Sequence, residues 1–187
     1  MIDEKFIGKF NKILVLDFDG VLNSVRSVVA DKKCVNALNA KHAILAGHTI
    51  TSGFDPIAVK LIWRIMEQTD AFIVVSSAWR KTINLSDIRN IFHTEFGWPD
   101  GDAERIIGVT GRRDNGFRGH EVQDWIDNHT VGIRNFQYII IDDSGDFHDH
   151  QFKRFVQTDP YNGLSYEDYK KALQLFNVEP DEHGEWL

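Results

Sequence analysis

Two aspartates, Asp17 and Asp19, stand two residues apart at the end of the apolar run Ile13-Leu14-Val15-Leu16, with Phe18 between them and Gly20 after them. If that run is a strand and the chain coils after Asp17, both carboxyl groups lie near one crevice. Gly20 permits the tight backbone path such a coil needs. One carboxylate can then act as a nucleophile and the other as a general acid and base. An ordinary Asp-Gly turn uses the same two residues, but the apolar run before it and Val21-Leu22 after it favour the chemical reading. A second acidic pair, Asp142-Asp143, ends the run Tyr138-Ile139-Ile140-Ile141. Adjacent carboxylates repel unless a cation or solvent relieves them. Close to Asp17, oxygen ligands of this kind suit Mg²⁺, with waters completing an octahedron. Asp146 and Asp149 read as loop charges.

A hydroxyl at a third strand end, Ser76 after Ala71-Phe72-Ile73-Val74-Val75, can hydrogen-bond a phosphoryl oxygen. Ser77 is the alternative for that role. A helix starting there would add backbone N–H groups. Phosphoryl chemistry also needs a fixed cation against developing charge. Arg118 has the favoured position, just before Gly119-His120-Glu121-Val122, with Arg80, Arg112 and Arg113 as rivals. His148-Asp149-His150 has no second cluster with zinc-ligand spacing and reads as loop. The five tryptophans, among them Trp79 and, on apolar helix faces, Trp63 and Trp125, read as core.

These residues need a scaffold that brings strand ends together. The three apolar runs are continuous rather than alternating, which suits parallel strands covered on both faces. Ile106-Ile107-Gly108-Val109 and Phe155-Val156 are weaker strand candidates. Helical periodicity lies between them. One helix carries Ile57, Leu61 and Ile65 with Ala58, Ile62 and Met66 alongside, and Asp55-Pro56 starts it. A second carries Ile88, Ile91, Phe92 and Phe96, capped by Ser86. A third carries Val122, Trp125, Ile126 and His129. Ser165-Tyr166-Glu167-Asp168 is a capping-box pattern for a last helix reaching about Phe176. Alternating strands and helices predict an α/β domain with a mainly parallel sheet, whose ligands bind beyond the strands' carboxyl ends. One domain is expected over residues 1–176. Within it, 24–53 lacks a strong period and reads as a small insertion or flap; 177–187 reads as an acidic, mobile tail.

The bulk properties bound the function. The chain has 187 residues, a formal net charge of -7, and 42% hydrophobic and 26% charged residues. That balance fits a globular fold and argues against a protein that coats nucleic acid non-specifically. A local basic pocket for a nucleic-acid end is compatible with it. The apolar runs are strand length, too short to span a membrane, and Met1-Ile2-Asp3-Glu4-Lys5 is not a signal-peptide pattern. The lone Cys34 rules out an intrachain disulfide and suits a reducing, cytoplasmic setting.

Taken in order, these motifs resemble those of the haloacid dehalogenase (HAD) superfamily. Asp17-Phe18-Asp19-Gly20-Val21 resembles its first motif, Val74-Val75-Ser76 its second, Arg118 its basic third, and Ile140-Ile141-Asp142-Asp143 its acidic fourth. Val21 stands where many members have threonine. Phe54-Asp55-Pro56, Ser76-Ser77-Ala78-Trp79-Arg80, Arg118-Gly119-His120-Glu121-Val122 and Gly163-Leu164 narrow the likeness to a subgroup associated with RNA-repair (Swiss Army Knife) proteins.

The resemblance implies a Rossmann-like HAD fold and a Mg²⁺-dependent phosphatase. Asp17 would be the nucleophile, forming an aspartyl-phosphate, and Asp19 the acid and base. Asp19 also separates the chain from the dehalogenase branch, which lacks the second aspartate. Ser76 and Arg118 would hold the transferring group, with Ser77, Gly20 and Arg80 at the substrate. Asp17, the backbone carbonyl of Asp19, and Asp142 or Asp143 would hold the metal. A phosphorylated DNA or RNA end or a nucleotide is the substrate implied, with no membrane partner. A phosphotransferase on the same site and a non-catalytic phosphate- or partner-binding module are the alternatives.

Overall fold

A computed structural model describes residues 2–30, 53–113 and 116–181. Five strands form one parallel sheet: β1 (Lys12–Leu16), β2 (Phe72–Val75), β3 (Ile106–Val109), β4 (Gln137–Asp142) and β5 (Phe155–Gln157). Their spatial order is β3-β2-β1-β4-β5, so β1 is central and the order reverses there. That reversal opens a crevice at the carboxyl ends of β1 and its neighbours. All five expected strands form, including the two weak ones.

Six α-helices accompany the sheet among the described residues: α1 (Val25–Ala30), α2 (Pro56–Thr69), α3 (Leu85–Phe96), α4 (Asp100–Glu104), α5 (Arg118–His129) and α6 (Tyr166–Leu175). Side chains alternate between the two faces of each strand. Leu14 and Leu16, Ile73 and Val75, and Ile139 and Ile141 enter a core packed by α2, α3 and α6. Ile13, Val15, Val74 and Ile140 enter a second core closed by Val122, Trp125 and Ile126 of α5. Apolar burial on both faces explains why the runs showed no alternation in hydrophobicity.

The register carries this parity to the strand ends. Leu16 pairs with Val75 on one side and Ile141 on the other. One residue further, Asp17 N donates to Ile141 O at 3.0 Å and Ser76 N to Leu16 O at 2.8 Å. Asp17, Ser76 and Asp142 therefore lie abreast, on the parity of Val15, Val74 and Ile140, the face that α5 covers.

Two local expectations are corrected. Ile57 is 66% exposed. The buried stripe of α2 is Ala58, Val59, Leu61, Ile62, Ile65, Met66 and Thr69, and Ile57 lies about 140° around the helix from Ile62. The α3 cap is Asn84, whose side chain accepts from Asp87 N; Ser86 lies inside the first turn and donates to Asn84 Oδ1 at 2.6 Å. The short helices α1 and α4 lack enough turns to show a period.

Of the stretch 24–53, the described part supplies α1, anchored where Arg26 Nη2 meets Asp55 Oδ2 at 2.9 Å. Cys34 and the rest of the expected insertion, 31–52, lie outside the described residues. At the other end, Val178 packs against the core and Asp181 Oδ2 lies 3.7 Å from Arg64 Nη2. Residues 182–187 are outside the described part.

The Ser165 capping box forms with both reciprocal bonds. Ser165→Ala is expected to cost about 1 kcal/mol of stability, read as a lower urea midpoint at unchanged slope.

Candidate active site

The site forms where β1, β2 and β4 end. Asp17 is almost fully buried. Its Oδ1 accepts from the Phe18 amide at 2.7 Å and its Oδ2 from Arg118 Nη1 at 2.7 Å. The same Arg118 nitrogen reaches Asp142 Oδ2 at 2.9 Å and the Ser76 carbonyl at 2.7 Å. One guanidinium thus ties together the ends of three strands. Among the four candidate arginines, Arg118 is the one bonded to Asp17 and Asp142. Arg80 forms a buried pair with Glu121 and donates to the carbonyls of Ser76 and Ser77. Arg113 pairs with Asp124 at the surface, at 2.5 Å, and Arg112 is exposed.

Arg118 is the first residue of α5, and a neighbouring loop fixes that end. Phe117 supplies no side-chain cap. Instead Asp146 Oδ2 accepts from Arg118 N at 3.1 Å and Asp146 O from Gly119 N at 2.9 Å. Gly119 is needed for this approach: a Cβ there would lie 2.8 Å from Gln151 Oε1 and 2.9 Å from His148 N. Asp146, expected as a mere loop charge, therefore anchors the helix that presents Arg118. A carboxylate at a helix N-terminus is also favoured electrostatically.

The electrostatics explain why cations are needed here. Burial pushes the Asp17 carboxyl above the usual carboxylate range, against the opposing pull of Arg118, the Phe18 amide and the Ser77 hydroxyl. Burial, reinforced by the charge of Asp17, pushes Asp142 up to about 8, with Arg118 only partly opposing. Asp143 is also raised, chiefly by burial. For Arg118, burial disfavours the charge, but Asp17 and Asp142 outweigh it and raise its pKa. Carboxylate oxygens of Asp17, Asp142 and Asp143 lie within 4.8 Å of one another. Three hard oxygen donors that close, short of positive charge, match the ligand preference of Mg²⁺.

The remaining site residues divide between the crevice and its supports. Gly20 has φ +76°, and a Cβ on it would come within 2.7 Å of Asp143 Cβ, so only glycine lets the two loops close. Asp19 is exposed at the crevice, with its Oδ1 accepting from Trp79 Nε1 at 3.0 Å and Asn23 Nδ2 at 3.3 Å. Ser76 is buried, and its hydroxyl accepts from Thr110 at 3.3 Å. The Ser77 hydroxyl is the serine group on Asp17. Sequence reasoning missed the indole N–H of Trp79, Asn23, Thr110 and Thr158, which donates to Gly20 O at 2.8 Å. A polar residue directly after β3 and after β5 was the available signal for Thr110 and Thr158; Trp79 and Asn23, further into the loops after β2 and β1, offered none. His148 and His150 stack with ring centroids 5.5 Å apart, and His120 lies 4.6 Å from His148. Among the described residues, the grouping with metal-ligand spacing is the aspartate cluster instead.

A pH dependence follows. Between the unfolded carboxyl pKa near 4 and the raised folded value, Asp142 is protonated when folded and ionised when unfolded. The unfolded chain then binds fewer protons, so this group's contribution to stability falls as pH rises from about 4 to 8. A divalent cation must displace that proton. The gain in thermal midpoint on adding Mg²⁺ is therefore expected to be larger at pH 8 than at pH 6. Differential scanning fluorimetry at both values checks this, and an equal gain would contradict it.

Comparison with known proteins places the arrangement. The family model described as the HAD domain in Swiss Army Knife RNA repair proteins matches residues 13–169, from β1 into α6. Searches of curated proteins and of solved structures returned no match. The HAD fold and the general chemistry of phosphatase-type hydrolases accompany that match. No helix of the described residues is long and apolar enough to cross a membrane. With its parallel sheet and its acidic strand ends, the chain belongs to the family of HAD domains found in Swiss Army Knife RNA repair proteins.

Proposed function

We propose that the protein is a Mg²⁺-dependent phosphomonoesterase that works through an aspartyl-phosphate on Asp17 and acts on a phosphorylated nucleic-acid end or a nucleotide. The observation that carries this reading is the buried Asp17 carboxylate, held by Arg118 beside Asp142, with Asp19 two residues on. A pure binding module has no use for a buried nucleophile paired with an acid. The RNA-repair family supports the nucleic-acid part of the substrate, and a reducing, cytoplasmic setting belongs to the same proposal.

Asp17, Asp142 and Asp143, with the backbone carbonyl of Asp19, would hold the metal. Bound there, Mg²⁺ offsets repulsion between a phosphate dianion and the attacking carboxylate. Asp17 attacks phosphorus in line and the alcohol leaves. Asp19 protonates the departing oxygen and then takes a proton from the water that hydrolyses the acyl phosphate. Arg118, the Ser77 hydroxyl and Ser76 steady the transferring group and its nucleophile. Arg80 supports the β2 loop through Glu121 and the two serine carbonyls, setting the walls of the substrate site.

Asp17→Asn is expected to lower Mg²⁺-dependent phosphate release from an aryl phosphate by more than about a thousandfold. Equal rates in both proteins would remove Asp17 from the mechanism. Arg118→Ala is expected to cost about 10²- to 10³-fold in kcat. A panel of 3′- and 5′-phosphorylated oligonucleotides, mononucleotides and sugar phosphates tests the substrate, with preference for the nucleic-acid members expected. Turnover of sugar phosphates alone would defeat that part, and phosphate appearing on an added nucleoside would mark a phosphotransferase.

A further inference from the structure

Trp79 reads as a core residue, and it is fully buried. Its indole nevertheless has a polar task. Nε1 donates to Asp19 Oδ1 at 3.0 Å, and Asn23 Nδ2 donates to the same oxygen at 3.3 Å. An indole N–H only donates, and so does an amide NH₂. Oδ1 must therefore stay an acceptor whether Asp19 is ionised or protonated. The exchangeable proton is left to Oδ2.

The indole is itself immobilised. Its ring meets Phe54 at 5.1 Å and Phe18, edge-on, at 5.9 Å between centroids. Phe18 lies between Asp17 and Asp19 in the chain, so the residue separating the two carboxylates packs on the ring that orients one of them. The Trp79 backbone amide is held by Ser77 Oγ at 3.4 Å, in the turn Ala78–Lys81. The Ser77 hydroxyl also lies on Asp17. Nucleophile and acid thus share one support.

We propose that Trp79, assisted by Asn23, is a positioning residue that confines the catalytic proton of Asp19 to Oδ2 and fixes the plane of its carboxyl group. The proposal rests on the reading of Asp19 as the general acid and base. As the bond from phosphorus to the leaving oxygen breaks and the bond to Asp17 forms, the Oδ2 proton passes to the leaving oxygen. As water attacks the acyl phosphate, one of its protons returns to Oδ2, and phosphate and free Asp17 result. Without the two donors the proton is shared between oxygens, and a fraction of complexes has it on the wrong one.

A leaving group that needs no proton separates this role from simple packing. Nitrophenolate departs unassisted, whereas an alkoxide requires the acid. The experiment compares kcat/KM for 4-nitrophenyl phosphate and for glycerol 2-phosphate in the full chain with Mg²⁺. In Trp79→Phe, the alkyl ester is expected to lose about 10- to 100-fold, and the aryl ester less than about threefold. Asn23→Ala spares the aromatic cluster and is expected to show the same selective loss, smaller in size. It carries the test if Trp79→Phe does not fold. Selective loss in Asp19→Asn with uniform loss on both esters in the Trp79 and Asn23 variants would overturn the positioning role alone. Uniform loss in Asp19→Asn would overturn the acid–base reading and the positioning role with it.

Discussion

The guanidinium of Arg118 lies between two carboxylates whose charge burial disfavours. Asp17 is 5% exposed and Asp142 is 1% exposed at the side chain, and Arg118 reaches both. Removing ions from water costs several kcal/mol each, and mutual attraction recovers this only with good geometry and further hydrogen bonds. Here the further bonds come from the Phe18 and Ser144 amides to the acids and from the Ser76 carbonyl to the arginine. A single guanidinium still leaves the cluster short of positive charge, because Asp143 adds a third carboxyl. Arg80 offers little relief, since Glu121 neutralises it. The pocket is poised to take a divalent cation.

The architecture serves that contact. Placing Asp17, Ser76 and Asp142 abreast requires three strands in matched parallel register. Aiming them toward Arg118 requires strand parity to bring them to the face that α5 covers. Holding α5 at the correct height requires the loop after β4, with Asp146 and Gln151 bonded to the first turn of the helix. The loop after β1 must also pass close to Asp143, which the positive φ and missing Cβ of Gly20 allow. Burial of large apolar residues on both sheet faces makes this frame stiff enough to keep charged groups in place.

Much of this was legible from residue types and spacing. Three continuous apolar runs, each ending in an oxygen-bearing residue, announced a doubly covered parallel sheet and a crevice at its carboxyl edge. The pairing of Asp17 with Asp142 was readable for the same reason. Position along the chain favoured Arg118 over Arg80, Arg112 and Arg113, but its contact with Asp17 was not readable. Contacts across 101 residues of chain, such as Arg118 with Asp17, leave no local signal. Trp79 was read as core on composition alone, which captured its burial and missed its N–H. Asp146 was read as loop charge because it caps a helix that precedes it in sequence. Ser86 and Asn84 are both good caps, and only backbone geometry distinguished them.

On the proposed mechanism, Asp17 becomes covalently phosphorylated during turnover. Reductive trapping tests it directly: the enzyme is mixed with Mg²⁺ and a phosphate ester, quenched during turnover, and treated with borohydride, which reduces an acyl phosphate to an alcohol. Peptide mass spectrometry then locates the reduced side chain. Homoserine is expected at position 17, dependent on both substrate and Mg²⁺. Reduction at Asp142 or Asp143 instead, or none anywhere while phosphate is being released, would contradict it.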